Sequence, residues 1–213
     1  MTGRWIAIML AATVVASCQR APDPSGTPGA GTTATATAGT TWSVASDASR
    51  VSFVSVKAGE VAEVHHFKSV TGTVAPDGTA TVSIPLASVE TGIDIRNERM
   101  RDMLFQVAQF PTARVSARID MAALADLPVG QQRRLPLAGE LDLHGVKAPF
   151  EAEVAVTRAA PDRVLVSSVD PVVIEAELFK LSDGIEALRK IAGLPAITPA
   201  APVTFQLMFQ AAG

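Results

Sequence analysis

The chain has 213 residues, enough for one domain with a sizeable core. Apolar residues make up 48% and charged residues 18%, a balance that excludes a wholly disordered chain. The net charge is −3 and the Lys and Arg residues are scattered rather than striped, so the sequence carries no electrostatic footprint for nucleic acid.

The chain opens with Arg4, an apolar run from Trp5 to Ala16, and the small residue Ser17 before Cys18. A positive start, a short apolar region and small residues before a cut describe a signal peptide over residues 1–17. The run is about a dozen residues, too short to span a bilayer of about 30 Å as a helix. Cys18 is the single cysteine, which excludes an internal disulfide and a cysteine-based metal site. Val15-Ala16-Ser17-Cys18 resembles the bacterial lipobox, in which the thiol is acylated and the cysteine becomes the first residue after cleavage. Acyl chains at about 0.8 kcal/mol per buried CH₂ would make Cys18 an anchor to the membrane. Gln19 rather than Asp follows the cysteine; by analogy with lipoprotein sorting this favours the outer membrane, with the domain facing the periplasm. The competing reading is a soluble secreted protein whose cysteine lies near the cut by chance.

After Cys18, residues 19–41 are rich in Pro, Gly, Ala and Thr with almost no large apolar side chain. Residues 18–41 are therefore expected to be a flexible tether.

From Trp42 onward the chain alternates at period two, the mark of strands with one buried face. Val51 and Phe53 open one run, and Phe67 and Val74 lie in the next. Ala80, Val82, Ile84 and Leu86 share a parity. Asp94 to Gln109 breaks the alternation: Met100, Met103, Leu104 and Val107 recur at helical spacing, with Asp94 as a candidate N-cap. Ala113, Val115, Ala117 and Ile119 return to period two, followed by Leu135, Leu137, Leu141 and Leu143, then Phe150, Ala152, Val154 and Val156. Val164 and Val166 lead into Val172–Leu178. Ser182 to Gly193 is a second helical stretch, with Ile185, Leu188 and Ile191 on one face and Gly193 as its stop. Val203, Phe205, Leu207 and Phe209 close the chain. About eight short strands with turns at Pro76-Asp77-Gly78, His144-Gly145 and Ala160-Pro161-Asp162 predict an antiparallel barrel or sandwich with two short helical insertions.

Chemistry-bearing motifs are sparse. No G-x-S-x-G elbow, P-loop or G-x-G-x-x-G occurs. His65 and His66 are adjacent in a strand and point to opposite faces, so they are expected at the surface or the barrel end rather than as metal ligands. His144 is expected to serve a turn. Asp94, Glu98 and Asp102, interleaved with Arg96, Arg99 and Arg101, describe a solvated helix face or, alternatively, a polar rim over a cavity. No catalytic residue, metal or cofactor is predicted. An eight-stranded barrel either fills itself or encloses a small ligand. The inward residues here are small, and composition leaves those outcomes close to even.

Several segments in order resemble the YceI-like family: Trp42-Ser43-Val44 with Ser49-Arg50-Val51-Ser52-Phe53, then Phe67 with Ser69-Val70-Thr71-Gly72. Ser88-Val89-Glu90-Thr91-Gly92 with Arg96, Met100, Leu104-Phe105 and Phe110-Pro111-Thr112 continues the pattern, and Leu141-Asp142-Leu143-His144-Gly145 resembles the family's hairpin. The chain departs at Arg99, where the family has a histidine, and in a longer helical stretch over residues 184–198. The resemblance spans residues 42 to about 210. It implies an all-β fold, an eight-stranded antiparallel lipocalin-like barrel over residues 42–211, and no catalytic residues. It also implies a secreted or periplasmic protein that holds an isoprenoid quinone or polyprenyl lipid.

The expected function is a membrane-anchored carrier of an apolar amphiphile, with no nucleic-acid partner and with a homodimer left open. The expected lining is Phe53, Phe67, Val82, Ile84, Val115, Leu141, Leu143, Val154, Phe205 and Leu207, with Met100, Met103 and Leu104 from the first helix touching the ligand. Arg96 and Arg99 are candidates for a polar head. The alternative is a non-catalytic envelope protein whose closed barrel binds a protein partner.

Overall fold

The computed structural model describes residues 39–212. The predicted signal peptide, Cys18 and the tether up to residue 38 lie outside the described residues.

The strands are β1 (Trp42–Val44), β2 (Arg50–Lys57), β3 (Val61–Phe67), β4 (Thr71–Val74), β5 (Thr79–Pro85), β6 (Val89–Glu90), β7 (Thr112–Arg118), β8 (Gln132–Leu143), β9 (Val146–Ala160), β10 (Arg163–Ser168), β11 (Val172–Glu175) and β12 (Ala200–Ala211). Helix α1 (Asp94–Arg99) lies between β6 and β7, and α2 (Ser182–Ile191) between β11 and β12. Four pairs of short strands are halves of longer, broken ones. β12 pairs with both β1 and β2, and β1 and β2 pair in turn with β4 and β3. β4 and β3 then pair with β5 and β6, and β10 and β11 both lie along β12. Counting each broken strand once gives a closed antiparallel barrel of eight strands, sealed where β12 meets β1.

Tight turns fix the register. His144 (φ 53°) and Gly145 (φ 74°) form the two-residue connection of β8 to β9, both in the left-handed region that a type I′ hairpin turn requires. At Gly78 (φ 84°), between β4 and β5, a Cβ would meet the Ile119 carbonyl oxygen at 2.1 Å, so no side chain fits. The two ends of the barrel differ. Both helices and the β2–β3 and β8–β9 hairpins stand at one end, the helical end. The β4–β5 and β9–β10 hairpins and residues 119–131, with a short 3₁₀ turn at Ala122–Leu124, stand at the other, the floor.

The first helix is shorter than the predicted span to Gln109. The α-helix stops at Arg99, and residues Met100–Leu104 continue as a wider π turn, with the Phe105 N–H donating to the Met100 carbonyl at 2.9 Å. Asp94 does not cap it. Ile93 occupies the cap position without a side-chain bond, and the entry is held instead from within. The buried Asn97 Oδ1 accepts from the Thr91 N–H (2.8 Å) and hydroxyl (2.7 Å), and Asn97 Nδ2 donates to Glu90 (3.1 Å). Glu90 also accepts from the Gly92 N–H at 2.6 Å and pairs with Lys68. The second helix follows its prediction closely, ending at Ile191 with Gly193 (φ 64°) beyond it.

Candidate functional site

The inward faces of the strands surround a cavity of about 810 Å³ whose wall is almost wholly apolar. Alternation places it there: Val82 and Ile84 on β5, Val115 on β7, Leu141 and Leu143 on β8, Val154 on β9, and Phe205 and Leu207 on β12 all line it, as do Phe53 and Phe67. Small residues keep it open, with Ala80, Ala113 and Ala117 facing inward where β5 and β7 pair. The aromatic rings form a chain along one side, Phe53 to Phe67 at 5.6 Å and Phe67 to Phe105 at 6.0 Å between centroids. At the helical end the cavity is bounded by Met100, Leu104 and Phe105, and by Ile185 and Leu188 of α2.

Met103 does not belong to the lining. In an α-helix it would share a face with Met100 and Leu104, but the π turn closes five residues on and brings Met100, Leu104 and Phe105 to the cavity together. The Met103 backbone instead lies against α2. A Cβ on Gly184 would sit 2.7 Å from its carbonyl oxygen and 2.8 Å from Leu104 Cα, so a glycine is needed for this approach.

A polar cluster lies at the helical end. Glu63 accepts from Arg96 Nη1 at 2.8 Å and pairs with Lys57 at 3.0 Å, while Arg96 Nη2 donates to the Thr91 carbonyl at 2.7 Å. The Lys57 hydrogen bond, with help from Arg96, holds the Glu63 carboxyl below its ordinary value despite partial burial. Arg96 and Arg99 both line the cavity, so the acidic and basic stretch forms part of a rim rather than only a solvated face. His65 is neither on the surface nor free. It is 3% exposed, lines the cavity, packs on Phe53 at 5.3 Å and shares a 3.0 Å hydrogen bond with Ser55. Burial pushes its imidazole below the ordinary range, and the nearby Arg96 charge adds to this. His66 points outward and is half-buried, as its parity requires. His144 serves the turn, its ring packed at a tilt against Phe110 with the centroids 4.3 Å apart.

At the floor stands a residue that sequence reasoning passed over. Arg158 is 3% exposed and lines the cavity, with its guanidinium 5.8 Å from the centre of the Trp42 ring. Its signal was parity, since it continues the inward set Val154 and Val156 along β9. Among the described residues no group of three or more His, Cys, Asp or Glu side chains is placed to hold a metal ion.

A family model described as the YceI-like domain matches residues 42–209. The chain belongs to the YceI-like family. Among solved structures, this YceI-like chain is similar to a polyisoprenoid binding domain from Saccharophagus degradans implicated in plant cell wall breakdown. That domain is 39% identical, with a TM-score of 0.79 and coverage of 80% of this chain and 98% of that one. The chain also resembles BcnA of Burkholderia cenocepacia in fold, at 21% identity and a TM-score of 0.60, covering 78% of this chain and 98% of that one. No curated protein matches the chain. The segments that resemble the family in sequence are largely structural here: Glu90, Thr91 and Asn97 brace the entry to α1, and His144-Gly145 turns a hairpin.

Proposed function

We propose that the barrel binds a long apolar chain of the polyisoprenoid class and carries it at the bacterial cell envelope, tethered to the membrane through a lipid on Cys18. The observation that carries the binding is the 810 Å³ apolar cavity along the barrel, a volume within the range of small-molecule sites. The likeness to a solved polyisoprenoid binding domain at 39% identity supports the ligand class. A tail hiding about 400 Å² of apolar surface gains about 10 kcal/mol gross. Freezing the flexible tail removes much of this, which leaves micromolar or somewhat tighter binding. The alternative of a plugged barrel acting only through its surface loses its premise, because the interior is hollow. The anchor rests on the sequence of residues 1–18, and Gln19 supports the outer membrane by analogy.

Organic extraction of protein purified from its native envelope, followed by mass spectrometry, is expected to release an isoprenoid quinone or polyprenyl lipid. Protein that carries no lipid and takes up no neutral apolar dye would remove the carrier reading. For the anchor, Cys18→Ser is expected to move the protein from the membrane to the soluble fraction. Retention of that variant in the membrane would remove the lipoprotein reading and leave the carrier untouched.

A further inference from the structure

Arg158 is a permanent charge held inside an oily cavity. Its guanidinium carries five N–H donors. The described residues offer it one acceptor, the Pro161 carbonyl at 2.9 Å from Nη1, and its buried Nε has none. The acids near this end are engaged elsewhere. Asp77 faces Arg118 at 3.8 Å, Asp126 pairs with Arg133 at 3.1 Å, and Asp120 accepts from the Ala122 and Ala123 N–H groups. Asp162, in the same hairpin, is exposed and forms no ion pair with Arg158 among the described residues. At the helical end, by contrast, Arg96 has a carboxylate partner in Glu63, which it shares with Lys57. Burying a charge without a counter-charge or a full set of hydrogen bonds is costly. Stacking on Trp42 recovers only part of that cost.

We propose that Arg158 and Trp42 form the polar subsite of the cavity, taking an anionic or carbonyl oxygen at one end of the ligand. The bound amphiphile then lies with its oxygen-bearing end on the floor and its hydrocarbon toward α1 and α2. This deepens the carrier reading and rests on it. It also reverses the sequence-based expectation, which put the polar head at Arg96 and Arg99. Arg158 supplies the forked donors that a carboxylate, a phosphate or a quinone carbonyl shares as a target.

The sequence supplies the reporter. Trp5 and Trp42 are the only tryptophans, so Trp5→Phe leaves Trp42 as the sole emitter in the full chain. Stearic acids carrying a nitroxide at carbon 5 or at carbon 16 are titrated against this protein. The carbon-5 label, next to the carboxylate, is expected to quench Trp42 more strongly. Equal or reversed quenching overturns the proposal and leaves the carrier reading standing, whereas binding of neither stearate nor a neutral apolar dye overturns both. Arg158→Met is expected to lower stearate affinity relative to the dye by about tenfold or more, with Arg158→Lys recovering part of the ratio. An unchanged ratio overturns the proposal. The quenching order needs no change at the floor, so it decides the question even if Arg158→Met does not fold.

Discussion

At the scale of single residues, the barrel depends on serine hydroxyls that mend the ladder where its strands break. Between β1 and β2, the Ser49 hydroxyl donates to the Ala45 carbonyl at 2.7 Å and accepts from the Met208 N–H of β12 at 2.9 Å. Ser46 takes the Val70 N–H at 3.3 Å beside the β3–β4 break. Ser88 donates to the Pro85 carbonyl at 2.6 Å between β5 and β6, and Ser168 accepts from the Phe205 N–H at 3.2 Å beside the β10–β11 break. Each offers the backbone a partner that the interrupted strand cannot. Ser49→Ala should therefore leave the Met208 N–H without its acceptor and cost about 1–3 kcal/mol. For a domain of this size that is a fall in Tm of about 2–4 °C per kcal/mol. Ser43→Ala, at an exposed β1 position, should stay within about 0.5 kcal/mol in the same calorimetric comparison. Equal effects would show that the hydroxyl bridge carries no stability.

At the scale of elements, the strands were legible in sequence and the first helix only partly so. One buried face forces period two, because a slip of one residue turns every side chain outward; hence Ala80 to Ile84 and Val203 to Phe209 announced their strands. The breaks at Ser46–Ala48 and Leu86–Ser88 were not legible, since Ser46-Asp47 mimics an ordinary turn and Leu86 continues the inward parity of β5. The Met100–Leu104 turn misled for a different reason. Its residues fit an α pattern, and the wider turn packs closely on α2 at Gly184, a tertiary contact that the residue pattern does not show. The two registers differ at Met103. An α face would present both Met103 and Leu104 to the ligand, whereas the π turn presents Leu104 alone of the two. Leu104→Gln should weaken uptake of a fluorescent apolar probe by about tenfold, from about 1–3 kcal/mol of lost apolar burial. Met103→Gln should leave the dissociation constant within about twofold, in keeping with a position off the cavity wall. Equal losses from both variants would restore the α register.

At the scale of the whole molecule, closure of the sheet produces what the sequence left undecided. Small inward residues such as Ala113 and Ala117 suit either a plugged or a hollow barrel, and only the spacing of eight strands around an axis settles it as hollow. Closure likewise joins Arg158 to Trp42, which stand on β9 and β1 at distant points of the chain. It also buries His65 in the wall between Phe53 and Ser55, and this sets the acid response. His65 is held below its ordinary value of 6.5 by burial, so between its folded and unfolded pKa values the unfolded chain binds more protons. Stability is then lost as pH falls from about 6.5. Hydrogen bonds from Lys68, Asn97 and the Gly92 N–H hold Glu90 at about 2 rather than 4.5, and Arg189 does the same for Glu186. Glu63 is lowered as well. These carboxylates contribute stability that is present above 4.5 and disappears as pH falls toward 2. The Tm should be level from pH 8 to 7, decline first from about pH 6.5, and decline again below about 4.5. His65→Gln removes the only group assigned to the first decline, so its Tm should hold level down to about 4.5 before falling with the carboxylates. A first decline that survives in that variant would show that the buried imidazole is not its source.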